Sequence, residues 1–198
     1  MAIETQISPQ PPAAHGAAAP APADSIRFAE LDGGVVVIRV EGRGSFSNSV
    51  ELKQLAERIA LTHPGGGYRC VIDMDRCLTM DSTFMGVLAS VGLRQRKDSG
   101  TKLAVVNANE QSARLMKTLG IDRLLDVHKP GDGTEAVGAA ADAAAAGYAG
   151  AAGDEVAKVD RIIHMIEAHQ TLCVADGANS VRFESVLKYL KESLEREG

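Results

Sequence analysis

Three consecutive residues, Asp81-Ser82-Thr83, have the types and the setting for a phosphate switch. They follow the stretch VIDMDRCLTM and open a segment in which Met85, Leu88, Ala89 and Leu93 recur at helical spacing. A serine at a helix start lies where the first backbone N–H groups have no intrahelical acceptor and the helix dipole is positive. A phosphorylated hydroxyl there sets about −1.5 to −2 charges beside those donors. The helix tolerates the modification, while the surface a partner meets changes sharply. The same position suits a plain helix N-cap, and one outward hydroxyl can serve both purposes. Asp81 reads either as a group that orients the site or as a turn acid. Thr83 reads as a first-turn residue rather than a second acceptor.

Other residues with chemical potential form no set. Asp73 and Asp75 lie two apart at a strand end, hence on one face, but no third ligand or nucleophile accompanies them. They read as structural. Cys70, Cys77 and Cys173 lack C-x-x-C spacing and fit a reducing compartment, as small buried hydrophobes. His164 and His169 are five apart, not the i,i+4 spacing of a metal pair on a helix. Gly65-Gly66-Gly67 lacks the Lys-Ser/Thr ending of a phosphate-cradling loop. Met74, Met80, Met85 and Met116 read as core or partner-facing side chains. No metal site and no cofactor is expected.

The elements that must position Ser82 are legible from pattern. A short strand around Ile26 to Glu30 turns at Asp32-Gly33-Gly34 into the β-branched run Val35 to Val40. Ser47, Asn48 or Ser49 caps a helix carrying Val50, Leu52, Leu55 and Ile59, and His63-Pro64-Gly65 ends it. Tyr68 to Met74 reads as a central strand, DRCLTM as a loop, and Ser82 to Lys97 as a helix stopped by Ser99-Gly100. Lys102 to Val106 is a strand, Asn109 to Met116 a helix, and Leu125 to Val127 the last strand. The fold class is therefore α/β, a small mixed and mainly parallel sheet with helices.

Around this domain, at residues 25–130, the chain changes character. Residues 1–24 alternate Ala and Pro with little to bury, which predicts a disordered tail. Residues 131–153 are Gly/Ala-rich and read as a linker or partial helix. Residues 154–198 form a C-terminal helical pair, with apolar stripes that need covering by the domain, each other or a partner. A net charge of −5 without a Lys/Arg block argues against nucleic acid and anionic membrane. No apolar run nears the ~20 residues that span a bilayer, and the N-terminus lacks a secretory pattern. A cytoplasmic protein without membrane insertion is expected.

The stretch from VIDMD through Asp81-Ser82-Thr83, GVLASVGLRQRK, Ser99-Gly100, LAVVN with Asn107, and Thr118-Leu119-Gly120-Ile121-Asp122-Arg123-Leu124-Leu125 resembles the STAS family, within it the bacterial anti-sigma factor antagonists. The resemblance spans about residues 25 to 130. It implies a non-catalytic partner switch: the unmodified protein binds an anti-sigma factor that is also a serine kinase, the kinase phosphorylates the serine matching Ser82, and a phosphatase reverses it. Asp81 and Thr83 match that serine's neighbours. Two positions depart from the pattern. Phe84 stands where the family usually has Gly, a bulky side chain expected to narrow or redirect docking. Gly44-Ser45 stands where a Leu-Asp pair is common, with a weaker polar contact near the switch expected. The C-terminal extension lies outside the family pattern. It favours a second reading, a non-phosphorylated STAS-like subunit of a sensory or transport complex.

Overall fold

Hydrophobic alternation in two adjacent strands sets the architecture. In the computed structural model, which describes residues 24–132, 139, 142, 149–150 and 157–197, β1 (Ser25–Leu31) and β2 (Val35–Gly44) form an antiparallel hairpin. Strands β3 (Arg69–Asp73), β5 (Leu103–Val106) and β6 (Leu125–Val127) then add in parallel, β3 beside β2, β5 beside β3 and β6 beside β5. Among the described residues the order is β6-β5-β3-β2-β1-β7, with β7 only Ala149–Gly150. β2 pairs along its length, so its side chains are buried on both faces.

The strand expected as the loop DRCLTM is a correction. Cys77–Met80 forms β4, which pairs in parallel with Gly42–Gly44 beyond an irregularity in β2. Four residues without alternation carry no strand signal of their own; the partner supplies it.

Val36, Ile38 and Val40 point to one face with Ile72, Val105 and Leu103. There they meet Leu52, Leu55 and Ile59 of α1 (Phe46–Thr62) and Phe84, Met85 and Leu88 of α2 (Ser82–Ser99). Met116 of α3 (Glu110–Thr118) joins the same core. Val37 and Ala29 form a small cluster on the opposite face. α1 is capped by Ser45, whose backbone N–H donates to Asn48 Oδ1 at 2.8 Å, rather than by a residue from 47 to 49. The chain turns into the helix two residues earlier than the apolar spacing indicates.

The C-terminal helices are α4 (Lys158–Ala175), α5 (Ala178–Arg182) and α6 (Glu184–Glu197). They lie outside the helical layer and form a third one. α4 rests on α2 and touches α1 through side chains, and α6 rests on α4. Ile162, Ile166 and Leu190 make a small cluster between α4 and α6, distinct from the main core. Ala168, Leu172 and Phe183 join the main core itself. The expectation for residues 1–24 falls outside the described residues except at Asp24, which accepts the Arg43 N–H at 2.8 Å. Of the stretch 131–153, Ala139 and Asp142 are helical and Ala149–Gly150 pair with β1; most of the rest lies outside the described residues. No helix among the described residues is long and apolar enough to cross a membrane.

Candidate functional site

β4 delivers the chain to Asp81, and Asp81, not Ser82, is the N-cap of α2. Its extended backbone lets Oδ1 accept the Phe84 N–H at 2.8 Å. The other carboxylate oxygen accepts the Phe46 N–H at 2.9 Å, at the first residue of α1. One exposed acid thus satisfies orphan donors of two helices and holds their starts together. Ser82 follows as the first helical residue, half-buried, its hydroxyl free of the capping role.

That hydroxyl faces α4. Ser82 Oγ lies 2.9 Å from His169 Nε2, and His169 Nδ1 lies 2.7 Å from the Met165 carbonyl oxygen. The carbonyl can only accept, so Nδ1 carries the imidazole proton and Nε2 accepts from Ser82. The ring stands edge-on to Phe183 at 4.9 Å. A serine beside an imidazole has the outline of a nucleophile and its base. Here the second ring nitrogen is spent on a carbonyl of its own helix, where catalytic triads place a carboxylate.

A second contact of the same kind lies along α4. Ser49 Oγ donates to the Phe46 carbonyl oxygen at 2.7 Å and lies 2.8 Å from His164 Nε2. The single hydroxyl proton is already used, so His164 Nε2–H donates to Ser49. The two histidines, five apart, lie about 140° around a helix. This places His164 against α1 and His169 against α2, bracketing Ala168, which meets the domain between them. Neither histidine was expected to share a site with a serine. The only sign in sequence is two histidines bordering an apolar stripe; their partners come from elements more than 80 residues away.

Burial pushes the His164 imidazole below its ordinary 6.5, reinforced by Lys53 of α1 and opposed by Glu167 of α4. The docked state therefore disfavours the charged ring. Its contribution to docking is complete above the ordinary value and is lost as pH falls through 6.5 toward the lowered one. Acidification from pH 7.5 to 5 is expected to speed amide exchange in α4 while β2 and β3 keep their protection. Replacing His164 with Gln should flatten that response.

Thr83 is buried, in the first turn of α2. Phe84 is fully buried, in the main core. Its ring occupies the space beside Gly44: a Cβ added to Gly44 would lie 2.8 Å from the Phe84 ring. The two positions are therefore in contact, with Phe84 filling the space beside Gly44. Asp73 is wholly buried, its Oδ2 bound by Arg39 and its Oδ1 accepting from Asn107 Nδ2 and the Asp75 N–H. Cys70 and Cys77 are buried, and burial pushes the Cys70 thiol up to about 12, out of nucleophilic range.

A family model described as "Mlab, STAS domain" matches residues 28–126. No curated protein matches the chain. Among solved structures, an anti-sigma factor antagonist from Thermotoga maritima aligns at 20% identity over 58% of this chain and 92% of its own, with a TM-score of 0.47. One from Mycobacterium paratuberculosis aligns at 21% identity over 59% and 93%, TM-score 0.47. The anti-sigma factor antagonist SpoIIAA in its unphosphorylated form aligns at 14% identity over 47% and 82%, TM-score 0.41.

Proposed function

The chain belongs to the STAS domain family, and we propose that it acts as a non-catalytic regulatory module of the anti-sigma factor antagonist kind, with Ser82 as its phosphoacceptor. The observation that carries this reading is the position of Ser82. Asp81 takes the capping duty, so the Ser82 hydroxyl is spared at the positive end of an 18-residue helix. A phosphate there meets free backbone donors and changes the sign of the local surface. The partner is an anti-sigma factor with serine kinase activity, and a phosphatase restores the hydroxyl.

Phosphosite mapping by mass spectrometry, on protein from its native cells across growth and stress, tests the switch. A phosphate on Ser82 that varies with condition is the expected result; a serine unmodified throughout overturns it. With the kinase in hand, Ser82→Asp is expected to weaken partner capture about tenfold or more, about 1.4 kcal/mol, and Ser82→Ala to leave it unchanged.

The second reading, a constitutive subunit of a sensory or transport complex, draws on the engagement of Ser82 by His169 beneath α4. It predicts a stable complex indifferent to kinase and ATP.

A further inference from the structure

α2 carries a glycine, Gly86, in its interior, where alanine would make a better helix by about 1 kcal/mol. Its reason lies outside the domain. A Cβ on Gly86 would lie 2.3 Å from the Ala168 carbonyl oxygen and 2.9 Å from the Ala168 Cα. α2 therefore presents a notch that admits the backbone of a crossing helix, provided that helix brings a small residue. On either side of the notch α4 is fastened by Ser82–His169 and Ser49–His164, and Lys53 Nζ meets Glu167 Oε2 at 2.7 Å on the exposed rim. Further along, Asn179 Nδ2 donates to the Leu119 carbonyl at 2.9 Å and Arg182 Nη1 to the Thr118 carbonyl at 3.0 Å, where α3 ends.

We propose that α4–α6 are an internal competitor for the partner-docking surface: α4 occupies the outer face of α2 in place of a partner's helix, and partner binding and access to Ser82 both require its release. This deepens the reading of Ser82 as the switch and rests on it. Two features make the contact separable. Its polar fastenings are hydrogen bonds and an ion pair, whose groups water can satisfy after release, and the apolar surface that Ala168, Leu172 and Phe183 cover is left for a partner's helix to bury. The helical pair also keeps its own cluster of Ile162, Ile166 and Leu190, apart from the domain core, so it can leave as a unit. The occupant that replaces α4 is a helix with Ala, Gly or Ser over Gly86, flanked by groups that hydrogen-bond Ser82.

The test uses the full chain and needs no kinase. In a Cys173→Ser background, Ser82→Cys supplies a thiol at the covered position, and its reaction rate with a disulfide reagent such as DTNB reads exposure. Adding Gly86→Ala keeps α2 helical but forces Ala168 away; His169→Ala removes a fastening from the other side. Both are expected to raise the labelling rate about tenfold or more and to speed amide exchange in α4, leaving β2, β3 and β5 protected. A thiol that reacts at the same rate in all three chains overturns the proposal. So does exchange in α4 that occurs only with global unfolding of the strands. Phosphosite mapping stands apart from these readouts, so an unmodified Ser82 would end the switch reading while leaving a measured cover in place.

Discussion

Replacing Phe84 with alanine is expected to cost about 3–5 kcal/mol, the range for emptying a buried aromatic site. Phe84 has no solvent exposure and lies in the main core with Met80, Met85 and Leu88. The sharper expectation concerns its neighbour. Gly44 ends β2, and an added Cβ would meet both the Phe84 ring and the Met80 side chain within 2.9 Å. Gly44→Leu alone should therefore overpack the site, costing about 1–3 kcal/mol. Combined with Phe84→Gly, the same leucine moves into vacated space. The pair should be less destabilised than the sum of the singles by about 1–3 kcal/mol, the interaction energy expected for residues in contact. Urea unfolding of the four chains, compared at constant m-value, measures it. Strictly additive losses would mean that bulk at 44 and bulk at 84 are not exchanged.

That coupling also explains what a sequence pattern can and cannot convey. Phe84 and Gly44 are each visible as departures from the STAS arrangement, but they are 40 positions apart, and only the pairing of β4 with the end of β2 brings them together. β4 itself has no periodic signature. By contrast, the parallel strands β3 and β5 are short apolar runs between turn residues, and α2 and α3 carry apolar spacing with clear stops, so their places were legible. The start of α2 was legible too, since Asp-Ser-Thr after a strand is a helix-entry pattern. What was hidden is the division of labour within it, Asp81 as cap and Ser82 as a hydroxyl turned toward His169. The largest gap is the cover over Ser82. The apolar stripe of the C-terminal helices announced a need for burial. Its address on α2 depends on the absent Cβ of Gly86 and on two serines, features that look ordinary until the helices meet.

Removing the Asp73 carboxylate is expected to be the most damaging polar change in the domain. Asp73 and Arg39 are register partners on β3 and β2, on the sheet face opposite α1 and α2. Both side chains are at most 1% exposed, and Asp73 Oδ2 lies 2.8 Å from Arg39 Nε and 2.7 Å from Nη2. Arg39 Nη1 also meets Asp142 at 2.9 Å, but that carboxylate is 63% exposed and cannot replace a partner inside the sheet. Asp73→Ala thus removes the carboxylate buried against that guanidinium, a loss of about 3–5 kcal/mol. The joint replacement Arg39→Met with Asp73→Leu removes both charges and should recover most of that loss, falling short of the parent by the two hydrogen bonds that Asp73 Oδ1 accepts. The single change reaches the switch as well. Asp73 Oδ1 holds the Asp75 N–H and the Asn107 amide, at the point where β3 gives way to the segment leading through β4 to Asp81. Amide exchange in Asp73→Asn, which keeps the shape and drops the charge, should therefore quicken from Asp75 through Ser82 before the sheet itself loosens. Uniform quickening across β2, β3 and β5 would instead make the pair a matter of global stability alone.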